Sequence, residues 1–139
     1  MVTKISALAA FLYTALLTYL SLVQLGKISV GSFSPTDKMM HAGAYLVLVG
    51  VWQVFFILKS RQNRQYKNNL YKISGVSILF GMLIEVLQGT LTRYRDPDWY
   101  DILANSAGVL LAFLFFLVFE NFLKRLKSKM ILKMGSNSI

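Results

Sequence analysis

Four long apolar stretches separated by short polar connections constrain this chain more than any other feature. They run from about residue 5 to 25, 39 to 58, 73 to 91 and 101 to 123. Each matches the ~20 residues a helix needs to cross a hydrocarbon core of ~30 Å. Lipid offers no partner to an unpaired backbone group, so these segments are expected to be helices and not open strands. The two prolines, Pro35 and Pro97, fall outside them, in the connections just ahead of the second and fourth segments. The first segment exceeds the roughly 7–15-residue apolar run of a signal peptide. No A-x-A cleavage pattern follows it before Lys27, so it is read as a retained span.

Composition leaves little room for a water-soluble alternative. The chain is 55% hydrophobic and 15% charged, where soluble domains carry about 25% charge, and its mean hydropathy is +0.53. Its 139 residues suffice for one domain. It has no cysteine, which excludes disulfides and thiolate metal sites. The net charge of +9 is gathered in blocks beside the apolar runs. That is the pattern of a protein meeting membrane headgroups, and nucleic acid is not an expected partner.

Those blocks also set an orientation. Lys59, Arg61, Arg64, Lys67 and Lys72 lie between the second and third segments, and Lys124, Arg125, Lys127, Lys129 and Lys133 follow the fourth. The other two connections are nearly neutral, with Lys27, Asp37 and Lys38 in one and Arg93, Arg95, Asp96, Asp98 and Asp101 in the other. Positive charge stays on the cytoplasmic side. The expected fold is therefore all-α: a polytopic four-helix transmembrane bundle, one domain over residues 1–139, with both termini cytoplasmic and residues 124–139 a basic tail, frayed from Gly135 onward. The basic blocks should touch anionic lipid.

Charge inside a bilayer is costly, so its placement carries information. Asp37, Lys38 and His41 open the second helix, Glu85 and Gln88 lie in the outer half of the third, and Asp101 and Asn105 open the fourth. Helical spacing puts Asp37, His41 and Tyr45 on one face. Glu85, Gln88 and Thr92 share another, and Asp101, Asn105 and Gly108 a third. Lipid rejects such stripes, so they should face one another. At 1.5 Å per residue, His41 lies ~6 Å below Asp37, Asn105 ~6 Å below Asp101, and Glu85 ~9 Å below Leu91, which brings the three groups to one level. Ala104, Gly108 and Ala112 form a small-xxx-small row, and Gly81 and Gly89 flank Glu85, as close helix packing requires. Thr14, Thr18 and Ser21 give the first helix a mildly polar face. Glu120, at the opposite end, is expected to pair with Lys124 at i,i+4.

Three blocks of these residues resemble the VanZ-like membrane proteins. They are Asp37-Lys38-x-x-His41 with Tyr45 one turn on, Glu85-x-x-Gln88 followed by Arg93, and Asp101-Ile102-Leu103-Ala104-Asn105-x-x-Gly108. The resemblance spans the second to fourth helices. It departs from the family pattern at Ala112, where many members carry a second glycine. It implies a four-helix membrane domain in a bacterial inner membrane. It implies no reaction, and resistance to lipoglycopeptide antibiotics is not carried over from the member that named the family.

Three functional readings follow. In the first, a polar site at the extracytoplasmic face binds a lipid headgroup, a cell-envelope precursor or a similar amphiphile. Its residues would be Asp37, Lys38, His41, Tyr45, Glu85, Gln88, Arg93, Asp101 and Asn105. Arg93 and Arg95 suit an oxyanion, against the competing reading that they pair with Asp96, Asp98 or Asp101 nearby. In the second, the protein is an enzyme acting on a lipid-linked substrate, with His41 and Glu85 as acid–base pair and Asp101 and Asn105 positioning substrate. No GxSxG, P-loop or HExxH motif supports a particular reaction. In the third, the polar residues pin the helices of a structural subunit, with a membrane-protein partner or a second copy of the chain. An ion path ranks last, because the inner halves of the helices offer little beyond Gln53 and Ser77. No cofactor is expected. A metal held by His41, Glu85 and Asp101 lacks a local ligand pair, so no metal is expected either.

Overall fold

The computed structural model describes residues 2–23, 37–60, 65–91 and 98–136, with side chains described as far as residue 130. These residues form five α-helices: α1 (Val2–Leu22), α2 (Asp37–Lys59), α3 (Gln65–Leu91), α4 (Trp99–Val118) and α5 (Glu120–Ser136). The first four are long and apolar enough to cross a membrane, and the protein is an all-α, multi-pass membrane bundle. Lys27, Pro35, Arg61, Arg64, Thr92, Arg93, Arg95, Asp96 and Pro97 lie outside the described residues.

The helices run alternately up and down. One end of the bundle, here the site end, carries the starts of α2 and α4 and the ends of α1 and α3. The opposite, basic end carries α5. Cross-links at both ends establish this. Gln88 near the end of α3 donates to the Ser21 carbonyl near the end of α1, at 2.7 Å. Tyr66 near the start of α3 donates to the Phe116 carbonyl near the end of α4, at 2.6 Å.

The closest packing is between α2 and α4, which run parallel. A Cβ added at Gly108 would lie 2.8 Å and 2.9 Å from the carbonyl carbon and Cα of Ala42, and nearer still to the carbonyl oxygen. Only glycine permits that approach. Beneath it lies a core of Tyr45, Leu48 and Val49 from α2, Tyr66, Leu70 and Ile73 from α3, and Val109, Ala112 and Phe116 from α4. The outward faces are apolar. Leu8, Phe11, Leu79, Leu103 and Leu110 are all exposed, as lipid contact demands.

Helix α1 is peripheral, and Ala10 is its one fully buried residue. Lipid removes the hydrophobic drive for helices to associate, so polar contacts carry more of its docking. The Tyr13 hydroxyl donates to the Ala44 carbonyl at 2.9 Å, and Trp52 donates its indole N–H to the Thr14 hydroxyl at 3.1 Å. The polar face expected of α1 is thus turned toward α2 and α3.

Three boundaries differ from the sequence reading. Helix α1 occupies 2–22 instead of 5–25. Helix α3 begins at Gln65 instead of 73, because Tyr66 and Leu70 are buried and extend the apolar face backward while Lys67 and Lys72 stay exposed. The fourth span ends at Val118, not 123. A one-residue break at Phe119 follows, and the expected tail continues as helix α5.

Helix α5 returns to the bundle through its charges. Glu120 meets Lys124 at 2.5 Å, as the i,i+4 spacing predicts, and also Lys67 at 3.6 Å. The Lys124 hydrogen bond holds the Glu120 carboxyl below the usual carboxylate range. Lys124 also sits over the Tyr66 ring, and Lys127 donates to the Ser60 carbonyl.

Candidate functional site

The site is built on two helix starts. Asp98 caps α4: its side chain accepts from the Tyr100 N–H at 2.8 Å and its carbonyl accepts from the Asp101 N–H at 2.9 Å. This turn aims Asp101 inward, where its side chain is 2% exposed. Across from it, the first turns of α2 present Asp37, Lys38 and His41. The Lys38 ammonium bridges Asp98 and Asp101, bonding Oδ1 of the latter.

His41 sits between the two helices with its side chain 12% exposed. Its Nδ1 lies 3.1 Å from Oδ1 of Asn105, within hydrogen-bond distance. Its Nε2 faces Oδ2 of Asp101 at 3.5 Å and Oδ2 of Asp37 at 3.8 Å. Asp37, His41 and Asp101 each offer a ligand atom of the kind that holds metal ions, and the three atoms lie within 4.8 Å of one another.

One turn deeper, α2, α3 and α4 meet at Tyr45, Gly81 and Asn105. A Cβ at Gly81 would stand 3.1 Å from the edge of the Tyr45 ring and 3.4 Å from Cβ of Asn105. Glu85, one turn along α3 toward the site end, is buried, and its Oε1 accepts from the Asp98 N–H at 2.8 Å. Three buried polar atoms in this zone have no hydrogen-bond partner among the described residues: Oη of Tyr45, Oε2 of Glu85 and Nδ2 of Asn105.

Six of the expected residues therefore converge: Asp37, Lys38, His41, Tyr45, Asp101 and Asn105. Glu85 reaches the group through the backbone of Asp98. The expected His41–Glu85 pair is corrected here, since Asn105, Asp101 and Asp37 surround the imidazole and Glu85 is turned to Asp98. Gln88 ties α3 to α1. Arg93 lies outside the described residues. Asp98, considered from sequence only as a loop acid, is a member of the site. The Asp98-Trp-Tyr-Asp101 run, with an N-cap acid followed three residues later by a second acid ahead of an apolar stretch, is the signal that locates it. The set of metal-ligating atoms is likewise corrected, with Asp37 in place of Glu85 beside His41 and Asp101.

Comparison of the chain with protein-family models, with curated proteins and with solved structures found no match.

Proposed function

We propose that this is a VanZ-like protein of a bacterial inner membrane whose site end faces outward and binds the polar head of an amphiphile, a lipid headgroup or a lipid-linked envelope precursor. One observation carries the reading. Oη of Tyr45, Oε2 of Glu85 and Nδ2 of Asn105 come from three different helices, are buried, and have no partner among the described residues. Gln53 and Ser74, away from the site, also carry unpartnered buried atoms, so it is the gathering of these three from three helices that points to a ligand, each orphaned group costing about 1–3 kcal/mol. A bound polar head would supply the missing contacts. The orientation is supported by Lys59, Lys67, Lys72, Lys124 and Arg125, which all gather at the basic end and belong to the cytoplasmic side by the positive-inside rule. The enzymatic alternative is the weaker one, because its acid–base pair is not formed: Asn105, Asp101 and Asp37 surround His41, and Glu85 is turned to the Asp98 N–H.

Tyr45→Phe tests the proposal. It removes one hydroxyl that bonds nothing described, so unfolding stability should be kept or slightly raised. The amphiphiles that co-purify, read by native mass spectrometry, should fall. Unchanged co-purifying lipids in Tyr45→Phe and in Asn105→Ala would sink the binding reading and leave the structural one.

A further inference from the structure

We infer that Asp37, His41 and Asp101 form a site for one divalent transition-metal ion of the Zn²⁺ class, held by three protein ligands with a further position open toward the membrane surface. The inference goes beyond the proposed headgroup binding and does not require it.

The donor set is one nitrogen and two carboxylate oxygens, which suits a borderline ion better than Ca²⁺ or Mg²⁺. Bonds of 2.0–2.1 Å to a tetrahedral ion put neighbouring ligand atoms about 3.3 Å apart. Nε2 of His41 lies 3.5 Å from Asp101 Oδ2 and 3.8 Å from Asp37 Oδ2. The third edge, between the Asp37 and Asp101 oxygens, lies within 4.8 Å, so closing the geometry asks up to about 1.5 Å of movement, which falls to the Asp37 side chain. The Asp37 side chain is 60% exposed.

What lifts the cluster above a chance meeting of acids is how two of its members are held from behind. Asn105 Oδ1 holds the Nδ1 side of His41 at 3.1 Å, which turns Nε2 toward the two carboxylates. Lys38 bonds Oδ1 of Asp101, which turns Oδ2 toward His41. Metal-binding histidines and carboxylates are oriented in this way, by partners on their distal atoms. Asn105, 2% exposed, also keeps its Nδ2 unpartnered beside the cluster, available to a group bound at the open position. Asp37 and His41 supply a local i,i+4 ligand pair from one helix turn, and α4 contributes the third ligand across the tightest crossing in the fold.

The test uses the full chain in detergent, stripped with a chelator, then equilibrated with Zn²⁺ by dialysis, with bound metal counted by elemental mass spectrometry. The expected result is one Zn²⁺ per chain and a raised thermal midpoint. Co²⁺ substitution should give the visible absorption of a low-coordinate site. Asp37→Asn, at an exposed position that does not endanger folding, should weaken binding at least tenfold, and His41→Gln should abolish it. Asn105→Ala should weaken it by about 10–100-fold, acting only through the imidazole. Stripped wild-type protein that takes up no Zn²⁺ would overturn the inference. So would Zn²⁺ uptake of equal affinity in wild type, Asp37→Asn and His41→Gln, all eluting as the same folded species.

Discussion

Replacing Gly108 by alanine places a carbon where the backbone of Ala42 already lies. The new Cβ would stand 2.8 Å and 2.9 Å from two backbone carbons of Ala42, against an ordinary carbon–carbon separation of about 3.5–4.0 Å. A side chain could rotate aside, but a helix backbone cannot, so α2 and α4 must part by about 1 Å. Overpacking of this kind costs about 1–3 kcal/mol. Alanine's better helix propensity returns up to about 1 kcal/mol, so the net loss is at most about 3 kcal/mol, and the full cost of about 1–3 kcal/mol shows against a control that shares the propensity gain. Gly50→Ala supplies the control. Nothing lies within 4 Å of its added Cβ, so it should be neutral or stabilising. Gly81→Ala should fall between the two, because its Cβ meets the Tyr45 ring at 3.1 Å and a ring edge can yield. Denaturant titration in mixed micelles, followed by far-ultraviolet circular dichroism, reads all three. The α2–α4 separation should also carry Lys38 and His41 away from Asp101 and Asn105, so Gly108→Ala should lose co-purifying lipid as well. Gly108→Ala as stable as Gly50→Ala would refute the reasoning that this crossing depends on glycine.

Three other perturbations have defined outcomes. A double-mutant cycle between Lys38→Met and Asp101→Asn should give a coupling energy of about 0.5–3 kcal/mol in unfolding titrations, because each partner answers the charge of the other. Gln88→Leu removes the bond to the Ser21 carbonyl and should cost about 1 kcal/mol, seen first as faster amide exchange near the end of α1 while α2–α4 stay protected. Glu120 has a folded-state pKa below its unfolded one, chiefly through the Lys124 hydrogen bond. Its contribution is therefore full above the ordinary carboxylate range and is lost as the pH falls through the folded value. Thermal midpoints of wild type and Glu120→Gln should differ at neutral pH and converge in acid, with the neutral-pH gap narrowing in high salt.

The gathering of polar groups at one end was legible before any coordinates. Asp37 and His41 are one turn apart on an otherwise apolar helix, as are Asp101 and Asn105, and lipid admits such stripes only if they face inward. The same spacing argument located Tyr45 and Gly108. It misjudged Glu85, because depth along a helix says nothing about azimuth. The residue stands at the right level, but its carboxylate is turned to the Asp98 N–H. It also passed over Asp98, whose role arises from the cap geometry of α4 and not from its position in an apolar run. Helix α5 was hidden for another reason. A run of lysines after a membrane span reads as a solvated tail, and its helical form follows from contacts of Glu120, Lys124 and Lys127 with α3 and with Ser60, at the end of α2.

By itself, the sequence determined that the chain crosses a bilayer four times as helices, and which residues must avoid lipid. Those are consequences of solvent: a backbone in hydrocarbon must pair with itself, and a charge must find shelter wherever it sits. Partnership was decided only by the tertiary structure. The choice of Asn105 and Asp101 over Glu85 around His41, and the joining of Lys38 to two acids some sixty residues away, depend on the rotation and close parallel approach of α2 and α4. That approach is set by glycine against backbone at Gly108 and Ala42, a contact between residues far apart in the chain that no local periodicity encodes.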